Sequence, residues 1–165
     1  MKVKKKSQIQ EKSVAKDLNA KTVVASGALW GSKGDVRHEE FLVECKTTER
    51  PYYSVSMKVW EKIEKEAVKD GLRVPLMCID INNGKDRYAV FLEKHFKHYK
   101  IYYDLDTGDT SWSIGKSFRI NNYPGRVLML SYETKHGEVP VFVVLPWDDF
   151  LYMLKEGVKH ESNKL

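Results

Sequence analysis

Four features with chemical potential follow one another along the chain: Glu11, then Asp35 directly after Gly34, then the triplet Glu44-Cys45-Lys46, then Lys58. Asp35 and Glu44 lie nine residues apart, the span of a tight hairpin, so their carboxylates can be brought side by side. Hard oxygen ligands of this type suit Mg2+ or Mn2+, and the neighbouring main-chain carbonyl of Cys45 can complete such a site. On a strand Lys46 shares the face of Glu44, about 6–7 Å away. From there it can orient or help deprotonate an attacking water and neutralise charge on a phosphate. Phosphodiester hydrolysis needs this combination: a nucleophile made at neutral pH and cations for a pentavalent transition state.

The elements that must position these groups follow from the periodicity. A helix is expected over 7–20, capped by Ser7, with Val14, Ala15 and Leu18 as its apolar stripe. Glu11 projects from that same face, either snorkelling to solvent or pointing into a polar site between helix and sheet. Residues 22–25 read as a short strand and 26–34 as a glycine-rich loop. Trp30 and Lys33 in that loop suit a base and a phosphate, although Trp30 could equally fold onto the core. Residues 35–37 and 40–47 form a hairpin turning at His38-Glu39. Phe41, Val43 and Cys45 face the core, and Leu42, Glu44 and Lys46 share the other face. A strand over 53–55 leads into a helix over 57–70, with Val59, Trp60, Ile63, Ala67 and Val68 inward and a stop at Gly71. Tyr52, Tyr53 and Trp60 read as core or dimer contacts.

Further on, 74–81 and 87–92 make a hairpin about Asn82-Asn83-Gly84-Lys85, and 93–99 a short helix. Another hairpin is expected around Asp106-Thr107-Gly108-Asp109. Strands 127–132 and 139–145 pair about His136-Gly137, and a last helix, capped by Asp148 or Asp149, ends at Gly157. The domain plan is a basic arm (1–6), a domain over 7–157 with its core in 7–92 and an extension over 93–157, and a polar tail (158–165).

The 165 residues carry 28 Lys+Arg against 23 Asp+Glu, a net charge of +5. Residues 1–16 hold six lysines against one glutamate. A basic start on a balanced body reads as a handle for a polyanion, with Lys4, Lys5 and Lys6 as its contacts. No apolar run approaches the roughly 18 residues needed to span a bilayer, and no secretory leader is recognisable. Cys45 and Cys78, without CxxC spacing, read as buried free thiols in a reducing, cytoplasmic compartment. A second E-x-K triplet, Glu133-Thr134-Lys135, has no Asp one hairpin upstream and reads as an exposed strand end.

The order Glu11 … Gly34-Asp35-Val36 … Glu44-Cys45-Lys46-Thr47-Thr48 … Lys58 resembles the PD-(D/E)XK nuclease superfamily, and more narrowly the archaeal and phage Holliday junction resolvases. Val43 to Thr48 is especially similar to the resolvase strand. Two departures stand out: Gly34 where many members have proline, and Lys58 where the archaeal enzymes carry glutamine. The resemblance implies an α/β fold of the restriction-endonuclease type, a central mixed sheet flanked by helices with a C-terminal α+β extension. It also implies a Mg2+-dependent endonuclease, with Mn2+ able to substitute, acting as a homodimer on branched DNA in a prokaryotic or phage-infected cell. Asp35, Glu44, the Cys45 carbonyl and Glu11 would hold metal, Lys46 would act on the water or scissile phosphate, and Lys58 would assist on the phosphate side. A loop serine contributes in the resolvases, and Ser26, ahead of Ser32, is the candidate. A restriction-type or repair nicking enzyme, or a DNA-binding module without catalysis, are the alternatives.

Overall fold

The computed structural model describes residues 3–23, 34–96, 110–113, 116–121, 126–130, 137 and 139–161. Among these residues three helices flank a mixed sheet. Helix α1 spans Val3–Asp17, α2 Met57–Lys69 and α3 Trp147–Glu161. The strands are β1 (Lys21–Thr22), β2 (Val36–Arg37), β3 (Phe41–Thr47), β4 (Tyr53–Ser56), β5 (Val74–Ile81), β6 (Asp86–Leu92), β7 (Thr110–Ser113), β8 (Ser117–Ile120), β9 (Arg126–Leu130) and β10 (Val141–Pro146). Among the described residues the main sheet runs β1-β2-β3-β5-β6-β10-β9-β7, while β4 and β8 form a separate two-stranded ribbon. Strands β3 and β5 are parallel, joined by a crossover through α2, and the β2–β3, β5–β6 and β9–β10 pairs are antiparallel. The chain is therefore α/β, and its C-terminal half continues the same sheet beyond β6 through β10.

Alternation along the strands makes two cores. On one face Val43 and Cys45 of β3 meet Val14 and Leu18 of α1, and Phe91 of β6 meets Phe150 of α3. On the other, Met77 and Ile79 of β5 pack with Trp60 and Ile63 of α2 and with Val55, Phe118 and Ile120 of the ribbon. Because both faces of the central strands are covered, β5 reads as a continuous apolar run. Its one charge, Asp80, is buried and held by a fork from Arg87 on β6, Nε to Oδ1 at 2.7 Å and Nη2 to Oδ2 at 3.0 Å. Arg87 also donates to Ser13 of α1 (2.9 Å), and Trp147 of α3 donates to Asp17 of α1 (2.9 Å), so a polar network ties α1, the sheet and α3 together. Both cysteines are buried and free.

Several elements differ from the sequence expectation. Helix α1 begins at Val3, so Lys4, Lys5 and Lys6 belong to the helix and not to a separate arm. Ser7 does not cap the helix: its hydroxyl donates to Glu11 one turn on, at 2.7 Å. The first turn is anchored instead by Lys6, which pairs with Glu49 beyond β3 and donates to Asn83 (2.7 Å) in the turn after β5. On α2, Val68 is exposed, for it stands about 100° round from Ala67 and past the contact stripe. Glu66 is buried in its stead, with Lys62 3.8 Å away. Of the helix expected over 93–99, residues Glu93–His95 form a 3-10 turn, and 97–99 lie outside the described residues. Helix α3 continues through Gly157 to Glu161, with Asp148 and Asp149 inside its first turn. The expected hairpin at 106–109, and the loop holding Ser26, Trp30, Ser32 and Lys33, lie outside the described residues, as does the Glu133 triplet. Among the described residues no helix is long and apolar enough to cross a membrane.

Candidate functional site: carboxylates at the open edge of β3

The site exists because β2 is shorter than β3. Strand β2 pairs Val36 with Val43 and Arg37 with Leu42, and at Asp35 the partner strand ends. One ladder bond precedes the break, from the Asp35 N–H to the Val43 carbonyl (2.9 Å). The next free donor on this edge, the Cys45 N–H, is taken by the Asp35 side chain, Oδ2 at 2.8 Å. A carboxylate thus stands where a strand carbonyl would be. In an extended strand the N–H and C=O of one residue serve the same edge, so the Cys45 carbonyl opens on the side where Asp35 stands.

Gly34 sets that approach. Its φ is +75°, a conformation closed to proline, whose ring fixes φ near −65°. A glycine at this position is therefore required by the local backbone. A Cβ there would also lie 2.6 Å from Cδ1 of Leu42, a buried side chain. Gly34→Ala is expected to lose about 1–3 kcal/mol in urea unfolding and to displace Asp35 from the Cys45 N–H, read as a shifted Cys45 amide resonance.

Glu44 and Lys46 project together from β3, as the parity predicts, and are paired at 2.5 Å. Glu11 stands on α1, which packs on the opposite, Cys45 face of β3; its carboxylate accepts from Ser7 and its charge reaches Asp35 at the strand edge. Its neighbour on that helix, Gln10, is buried and donates through Nε2 to the carbonyls of Lys46 (2.9 Å) and Cys78 (3.2 Å), clipping α1 to the gap between β3 and β5. Nothing in the spacing singles out Gln10; only the docked helix reveals it. Tyr53 of β4, expected as a core or dimer contact, half-buries its ring and stands within the field of Lys46 and Glu44.

The charges act on one another. Burial first, then the negative charge of Glu44 and more weakly that of Glu11, push the Asp35 carboxyl up to about 6, against the Cys45 N–H and the Lys46 ammonium. Burial would lower the Lys46 ammonium, but its bond to Glu44 and the charges of Glu44 and Asp35 outweigh that and hold it above the ordinary lysine value. Lys46 is therefore a cation at neutral pH, suited to hold an anion or orient a water. Burial foremost raises the Tyr53 phenol, which stays a neutral donor. Burial, with Cys78 and the carboxylates adding to it, pushes the Cys45 thiol well up, so it is inert as a nucleophile.

Asp35 implies a pH dependence. Between its ordinary value of 3.8 and about 6, the folded protein binds a proton that the unfolded chain has lost. The stability of the metal-free protein is expected to fall as pH rises through that window. In Asp35→Asn this part of the slope should vanish, as urea titrations at stepped pH in the presence of a chelator would register.

The remaining candidates are placed as follows. Lys58 is exposed in the first turn of α2, and among the described residues no hydrogen bond or ion pair joins it to Asp35, Glu44 or Lys46. Lys5 is exposed on α1, whereas Lys6 is engaged by Glu49 and Asn83. Among the described residues, no group of three or more His, Cys, Asp or Glu side chains converges to hold a metal by itself. The donor set nonetheless fits a hard cation: two carboxylates in one another's field, one of them raised by burial and then by the other's charge, beside a strand carbonyl on the same edge. Mg2+ is commonly held by one or two carboxylates with waters and a substrate phosphate, and not by an all-protein cage. No protein-family model matches the chain, and no curated protein matches it in sequence.

Proposed function

We propose that this chain is a Mg2+-dependent, structure-selective DNA endonuclease of the restriction-endonuclease-like type, resolving four-way junctions as a homodimer that nicks opposing strands. One observation carries the reading: Asp35, bound to the Cys45 N–H at the open edge of β3, lies in the same field as Glu44, Lys46 and Glu11. The antiparallel β2–β3 hairpin, followed by a parallel crossover through α2, is in keeping with it.

In this mechanism Asp35, Glu44 and the Cys45 carbonyl would hold the cation, with Glu11 supporting them from α1. Bound Mg2+ supplies a Lewis acid for the phosphate and lowers the pKa of an attacking water. Lys46, kept charged by Glu44, holds a nonbridging phosphate oxygen and stabilises the extra negative charge of the transition state. Lys58 and Lys5 add positive charge for the DNA backbone, the sequence-independent part of binding. Ser26, Trp30 and Lys33 are assigned from the sequence alone, as is a prokaryotic or phage-infected cytoplasm.

The test is incubation of an end-labelled four-way junction with Mg2+, beside linear duplex of the same sequence. Paired nicks in the junction, with the duplex left intact, are the expected result. Equal cutting of both would make this a restriction-type or nicking enzyme, and binding without cutting would leave a DNA-binding module. A metal readout independent of cleavage is thermal: millimolar Mg2+ or Mn2+ is expected to raise Tm in the wild type, with the rise lost in Asp35→Asn.

A further inference from the structure

The ribbon of β4 and β8 is supplied by both halves of the chain and lies outside the main sheet. Its inner face is apolar: Val55, Phe118 and Ile120 are buried against α2 and the sheet. Its outer face has a different character. Ser54 lies directly opposite Arg119, and Ser56 opposite Ser117, with no acidic residue in either strand. Arg119 is exposed, and among the described residues no carboxylate pairs with it. Its guanidinium carbon sits 4.3 Å from the centroid of the Tyr52 ring. Stacking uses the flat face of the guanidinium and leaves the N–H groups at its rim pointing outward. A fork held this way matches two oxygens of a phosphodiester. Next along the chain, Tyr53 packs against the cluster of Met77 and Ile79, which stand in register with Glu44 and Lys46 on the same face of the sheet, so the ribbon lies on the face from which those two side chains project.

We infer that the outer face of the β4·β8 ribbon binds the DNA backbone beside the cut, with Arg119, oriented by Tyr52, gripping one phosphate and Ser54 lining its path. This role rests on the nuclease reading, and it accounts for the C-terminal half, which sends one strand back to wall the site. Arg119 touches substrate away from the reacting atoms, so its loss should weaken binding and spare the chemical step.

The experiment measures anisotropy of a labelled four-way junction in Ca2+, added in place of Mg2+ to hold the DNA uncut, over a salt series. Arg119→Ala is expected to raise Kd about tenfold and to lower the salt slope by about one. Arg119→Lys should restore the slope but only part of the affinity, because a lysine keeps the charge and loses the fork. Tyr52→Phe should bind as wild type and Tyr52→Ala should weaken binding. Kd and salt slope unchanged in Arg119→Ala would overturn the inference even where the wild type cleaves. Weakened binding by Arg119→Ala beside a wild type that never cleaves would uphold the ribbon as a phosphate contact and remove the nuclease reading.

Discussion

Asp35→Asn is expected to lower junction cleavage by about 10³-fold and to leave junction binding within a few-fold of wild type. The asparagine keeps the local frame, since its side-chain oxygen can still accept the Cys45 N–H now bonded to Oδ2 at 2.8 Å. What it removes is the negative charge that would draw a cation. It also removes the buried charge whose desolvation, and then repulsion from Glu44, raise the Asp35 carboxyl. The variant should therefore be at least as stable as wild type at neutral pH while being inert. Glu44→Gln should produce a loss of the same order. It additionally releases Lys46 from its 2.5 Å ion pair, so its pH profile should differ from that of Asp35→Asn. The double variant should be no slower than the worse single one, because groups sharing one cation act as a unit. Single-turnover rates on a labelled junction, with binding measured in parallel, decide the matter; either single variant cutting at the wild-type rate would remove these residues from the chemistry.

Arg87→Ala is expected to cost about 3–5 kcal/mol in urea unfolding. Its guanidinium faces the Asp80 carboxylate through two bonds, and the Asp80 side chain is only 6 % exposed. Deleting the cation leaves a buried, unpaired charge and also takes the Ser13 bond from α1. The companion Asp80→Asn, Arg87→Met should recover much of that loss, since it removes both charges together. A cost below about 1 kcal/mol for Arg87→Ala would mean that solvent screens the pair as on an open surface.

The frame of the site is legible in the sequence where periodicity and turn chemistry agree. The hairpin into β3, helix α2 with its Gly71 stop, and the β5–β6 and β9–β10 pairs all stand where their patterns place them. The parity of β3 brings Glu44 and Lys46 together and sets Cys45 on the opposite face. Leu42, on the same parity as Glu44, is buried nevertheless, because the sheet is covered on both sides. What escapes local pattern is tertiary. The start of α1 depends on Lys6 finding Glu49 and Asn83, which no capping signal announces. The partner of β4 lies some sixty residues onward in β8, and the roles of Tyr53 and Arg119 follow only from that pairing. The motif itself is readable because its parts sit on adjacent elements. The bond from the Cys45 N–H to Asp35 depends on β2 ending one residue short, which composition does not reveal.

The placement of β10 bears on how the molecule comes into being on the ribosome. Glu11, Asp35, Glu44 and Lys46 all emerge early, yet β6 is flanked on its far side by a strand beginning at Val141, and α1 is fastened to α3 through Trp147. A nascent chain would hold its acidic cluster in an unfinished sheet until Val141–Pro146 had been translated. The sheet that carries the carboxylate edge is thereby completed only once β10 has left the exit tunnel.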